Sequence, residues 1–106
     1  MARRDRRGPE VTVPSPDEIR TIREKELRVS TSIFAEAIGY GDGERVVLAL
    51  EHGSRNGKPF VMMRTAAAAL RYVRAINKCL RGFDSGRLSA EDSLEVLREV
   101  LPVEMR

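Results

Sequence analysis

Val46 to Leu50, read VVLAL, is a run of five apolar residues held between the glycine-broken turn YGDG and Gly53. A run this short fits either of two elements. As a helix from Gly43 to His52, it would turn Val47 and Leu50 inward and stop at Gly53, where a left-handed residue closes the last turn. As a strand, it would lead through Arg55–Lys58, RNGK, into PFVMM, and Asn-Gly is the strongest short-range hairpin signal. Pro59 would confine that second strand to a sheet edge, and the apolar residues do not alternate cleanly with polar ones. The helix makes a small all-α module with a helix-turn-helix. The hairpin makes a winged-helix-like or other α+β fold. On pattern alone both stay open.

The flanking segments are better defined. Ser15-Pro-Asp-Glu18 is a helix start, with Ser15 as N-cap, Pro16 in the first position and Glu18 able to close a capping box. Ile19, Ile22 and Leu27 follow as its inward side. Ser30 or Thr31 caps a second helix with Phe34, Ala37 and Ile38 on one face, ended by Gly39. After Thr65, AAAALRYVRAINKCL is the clearest helical pattern. It gathers Ala66, Ala69, Leu70, Val73, Ile76 and Leu80 on one side and Arg71, Arg74, Lys78 and Arg81 roughly opposite. SAED at Ser89–Asp92 opens a last amphipathic helix carrying Leu94, Leu97, Val100 and Leu101, stopped by Pro102. The expectation is about five short helices. They divide as 1–14, a basic arm without helical period; 15–64, the helix-turn-helix; and 65–106, C-terminal helices for packing and dimerisation.

With 106 residues there is room for one modest core, and aromatics at 5% with no Trp make it aliphatic. Charge is uneven: residues 1–88 hold 17 Lys/Arg against 11 Asp/Glu, whereas residues 89–106 hold 2 against 5. The basic part suits a polyanion. The start MARRDRRGPE has no apolar stretch behind it and no later run approaches ~18 residues, so neither a signal peptide nor a membrane span is expected and the expected location is the cytoplasm. One cysteine, Cys79, and one histidine, His52, leave no internal disulfide and no local Cys/His metal cluster. Asp42, Glu44 and Glu51 have no nucleophile or activating base beside them, so neither an enzyme nor a cofactor is expected.

Residues Ser15 to Gly53 resemble the Xre-like, lambda-repressor-like (Cro-type) helix-turn-helix family of bacterial and phage regulators. The resemblance rests on PDEIRTIRE, on STSIFAEAIG with Ala35 four residues before Gly39, and on Val47, Leu50 and Glu51. It implies a helical reading of residues 46–50, with Ala35 allowing close helix crossing and Val47 and Leu50 plugging the core under a third, reading helix. It also implies a sequence-specific transcriptional regulator of double-stranded DNA, a repressor working as a homodimer.

On that footing Ser30 or Thr31 meets a phosphate. Gly43, Glu44, Arg45 and Leu48 enter the major groove, with Val46 and Leu48 expected to point outward. Arg55, Asn56 and Lys58, in the loop after the third helix, touch backbone without reading sequence. Arg3, Arg4, Arg6 and Arg7 lie along phosphates or in a minor groove, though four arginines in such a tail equally suit solubility. The stripe Arg71, Arg74, Lys78 and Arg81 is read as a solvated helix face, Cys79 as a small buried hydrophobe and Met62 and Met63 as gap-fillers. The competing class is a protein-interaction module, an antitoxin or adaptor, whose third helix docks a partner through Val46 and Leu48.

Overall fold

The computed structural model describes residues 12–41 and 43–106. Helix α1, Pro16–Thr21, runs directly into a π-helical turn, Ile22–Leu27. Then come α2, Thr31–Ala37; α3, Glu44–His52; two antiparallel strands, β1 at Ser54–Arg55 and β2 at Lys58–Pro59; α4, Arg64–Asp84; α5, Ala90–Val100; and a short 3-10 turn, Val103–Met105. Among the described residues the architecture is mostly helical, in line with the expectation, with a small two-stranded sheet added to it.

The choice at residues 46–63 resolves into both signals, one after the other. VVLAL lies inside α3, and Gly53, left-handed at φ 86°, ends that helix. The Asn-Gly turn then forms its own hairpin, pairing Ser54 with Pro59 and Arg55 with Lys58. Asn56 (φ 55°) and Gly57 (φ 77°) are both left-handed, as a tight two-residue hairpin turn demands. The hairpin therefore does not recruit the apolar run, and the expected loop after α3 is a β-ribbon.

The capping box of α1 forms as the sequence indicates. Ser15 Oγ accepts from Glu18 N at 3.2 Å, and Ser15 N donates to Glu18 Oε1 at 2.7 Å. Ile19, Ile22 and Leu27 are all buried. Ile22 and Leu27, five residues apart, would diverge on an α-helix. The π turn, closing bonds from i to i+5, brings them to one side. Ser30, rather than Thr31, caps α2, its Oγ accepting from Ile33 N at 3.2 Å. The inward face of α2 holds Phe34, Ala35 and Ile38, while Ala37 is exposed.

A single core joins Ile19, Ile22, Leu27, Phe34, Ala35, Ile38, Val46, Val47, Leu50, Met62, Ala66, Ala67 and Leu70. The first turns of α4 thus belong to the same core as α1 to α3. Tyr40 helps to fix the joint: its hydroxyl accepts from Met63 N, at the start of α4, at 3.0 Å.

Farther along, α4 departs from the expected face. Ala75, Cys79 and Gly82 are buried where α5 packs against α4, and Gly82 leaves no room for a Cβ, which would fall 2.5 Å from Leu88 Cδ1. Ile76 and Leu80, expected inside, are 51% and 60% exposed because α5 covers a different side. Met62 is buried as expected but Met63 is exposed.

Candidate nucleic-acid interface

Helix α3 packs against α1 and α2 through Val46, Val47, Leu50 and Glu51, all buried. The burial of Val46 corrects the expectation that it faces outward with Leu48. Residues two apart on a helix stand roughly 200° apart, so both cannot share one face. Leu48 does face out, at 54% exposure, on a side that also carries Glu44, Arg45 and His52, all exposed. The presented surface is therefore one acid, one arginine, one leucine and one histidine over about two turns.

Local geometry sets the N-terminal end of this surface. Gly43, at φ 74°, occupies the cap position in a conformation that L side chains rarely adopt. Glu44 sits in the first turn, where a negative charge meets the positive end of the helix dipole. Its Oε2 also accepts from Thr31 Oγ1 at 3.3 Å. Two residues expected to contact DNA separately thus hold each other across the turn between α2 and α3. Arg45 makes no such contact among the described residues.

The hairpin extends the surface. Arg55, Asn56 and Lys58 are exposed on it, and the Arg55 guanidinium lies 5.4 Å from the centroid of the Phe60 ring, a cation–π arrangement that holds it near the base of the ribbon. Phe60 N in turn donates to Gly53 O at 3.0 Å, tying the ribbon's exit to the end of α3. Arg3, Arg4, Arg6 and Arg7 lie outside the described residues.

Sequence reasoning named Val47, Leu50 and Glu51 on α3 but not the ion pair that holds the last of them. Glu51 is 6% exposed, and Arg23 grips it with two bonds, Nε to Oε2 at 2.5 Å and Nη2 to Oε1 at 3.1 Å. Arg20 adds a longer contact at 3.7 Å. The same Arg23 donates to Val29 O and to Glu24, so one guanidinium joins the end of the first helix, the approach to α2 and the inner face of α3. The bond to Glu51 holds the Arg23 pKa above its ordinary value. A signal was present: Glu51, four residues after Val47, stands within about 40° of it on the inward side of the helix, and a charge there requires a partner of opposite sign.

The basic stripe on α4 is not simply solvated. Arg74 clasps Glu26 through two 2.8 Å bonds, Arg81 donates to Leu27 O and Arg71 to Val100 O. These arginines brace α4 against the first helix and α5. Cys79 is buried, its Sγ donating to Ser93 O at 3.3 Å. Among the described residues no group of three or more His, Cys, Asp or Glu is placed to hold a metal, and no helix is long and apolar enough to cross a membrane.

Comparison with family models, with curated proteins and with solved structures finds no match for this chain.

Proposed function

We propose that this chain is a sequence-specific DNA-binding transcriptional regulator, a repressor acting in the cytoplasm, with no catalytic role. The observation that carries the reading is the pair α2 and α3. A buried face of Val46, Val47, Leu50 and the clamped Glu51 fixes α3, so its opposite face is rigidly presented with Arg45 exposed and unbonded among the described residues. Arginine grips a guanine through two major-groove acceptors, which makes Arg45 the residue assigned to base recognition. The hairpin cations Arg55 and Lys58 are assigned to phosphates, as are Arg3, Arg4, Arg6 and Arg7 on the strength of the sequence. Thr31 and Glu44, bonded to each other, shape the turn.

A second reading keeps the scaffold and changes the partner: an antitoxin-like or adaptor module that docks protein. The exposed Ile33 (52%) on α2 and Leu48 (54%) on α3 favour it, since neither can satisfy a hydrogen-bond code.

The test is a gel shift with duplex DNA from the protein's own gene neighbourhood at two salt concentrations. The proposal expects a preferred fragment and an affinity that falls with salt through counterion release. Equal, weak retention of every fragment would remove the regulator reading.

A further inference from the structure

Helices α4 and α5 form an antiparallel hairpin with two unlike sides. One side is a groove lined by Arg71, Arg74 and Lys78 of α4 with Val96, Glu99 and Val100 of α5. The other side is apolar and, among the described residues, uncovered. Ile76, Leu80 and Phe83 of α4 are 51%, 60% and 57% exposed, and Leu94 of α5 is 50% exposed. At about 100° per residue these four positions turn away from the groove on both helices, so they share one face. Contiguous apolar surface of this kind marks an interaction site.

The pattern on this face says what covers it. Cys79 Sγ bonds Ser93 O, which puts these two residues level across the hairpin, and Leu80 and Leu94 are each one residue, about 1.5 Å, from that level. Ile76 and Phe83 flank Leu80 four residues before and three after. Glu91 and Arg98 flank Leu94 three residues before and four after, on the outer margin of the same face. Both are exposed, and neither has an ion-pair partner among the described residues.

A single two-fold axis crossing the hairpin between Leu80 and Leu94 serves all six positions at once. It lays Leu80 on Leu80 and Leu94 on Leu94, Ile76 against Phe83 in both directions, and Glu91 against Arg98 in both directions. Such reciprocal matching is what an isologous contact requires. We infer that this face docks a second copy of the chain, forming an antiparallel four-helix dimer in which Glu91 of each copy pairs with Arg98 of the other.

The inference does not depend on the DNA-binding reading, and its test contains no DNA. Sedimentation equilibrium of the full chain should show a dimer. Leu80→Glu, at a position already largely in water, should yield a folded monomer, with Ile76→Lys as the second such variant and circular dichroism confirming helix content. Glu91→Arg and Arg98→Glu should each raise the dissociation constant by at least about tenfold, because in a two-fold dimer either change removes both charge pairs and sets like charges opposite each other. The double exchange Glu91→Arg/Arg98→Glu should restore it. The two positions lie too far apart on one helix to pair within a chain, and the exchange opposes the helix dipole, so recovery requires contact between copies. A wild-type chain that stays monomeric at high micromolar concentration, a Leu80→Glu variant that remains dimeric, or a double exchange no better than either single change would each overturn it.

Discussion

Glu51 shows how one residue fixes the orientation of a whole helix. Its carboxylate is buried and satisfied almost entirely by Arg23, so truncating it leaves a largely buried guanidinium with only the exposed carboxylate of Glu24 beside it. Glu51→Ala should lower unfolding stability by ~3–5 kcal/mol, the penalty for breaking a buried pair from one side. Urea unfolding measures it, and a change under ~1 kcal/mol would show that the pair is solvent-screened. Arg28 works in the opposite sense. It closes the first helix in the left-handed region, φ 58° and ψ 51°, with its side chain exposed. Arg28→Gly should therefore raise the melting temperature, relieving ~1 kcal/mol of backbone strain. Glu18 adds a pH dependence. Its carboxylate accepts the Ser15 backbone N–H, which holds its pKa below the ordinary 4.5. A depressed folded pKa means that this contribution is complete above about 4.5 and fades as pH falls through the lower folded value. The Ser15 amide resonance should move in that acid range, and Glu18→Gln should abolish the movement.

Elements were legible where local chemistry was unambiguous and illegible where long-range packing decided. The start of α1, the stop of α3 at Gly53 and the start of α5 at Ser89 each followed from caps read in the sequence. The π turn did not, because Ile22 and Leu27 show only an imperfect spacing until a neighbouring core fixes which sides must coincide. The short hairpin was half legible. Asn-Gly announced a turn, but nothing local showed that α3 would take VVLAL first and leave two residues for each strand. That hairpin should be sensitive at Gly57, whose left-handed φ of 77° suits no ordinary L residue. Gly57→Val should disorder β1 and β2 while leaving α3 intact, seen as loss of the cross-strand contact between Arg55 and Lys58 in nuclear Overhauser spectra. An unaltered contact would mean that the ribbon is held by packing and not by its turn.

At the scale of the molecule, the core was readable as aliphatic and helical, but its extent was not. The periodicity of α4 suggested one continuous inward face, whereas the structure gives its first turns to the α1–α3 core and its later turns to α5. Ile76 and Leu80 were left outside because two different neighbours cover α4 from two different sides. Of the candidate site, the exposure of Arg45 and Leu48 followed from the helical reading that the resemblance implied. The burial of Val46 did not, and the Arg23–Glu51 clamp emerged only from three-dimensional pairing across 28 residues of sequence. These features converge on one idea, that a rigidly seated α3 offers Arg45 to a base. The measurement that tests it most directly is fluorescence anisotropy of wild type and Arg45→Ala on the preferred duplex and on a scrambled one. Arg45→Ala should lose ~1–3 kcal/mol on the preferred site and almost nothing on the scrambled one. Equal affinities for wild type and variant on both duplexes, with Leu48→Asp instead abolishing a co-purifying protein, would contradict the account.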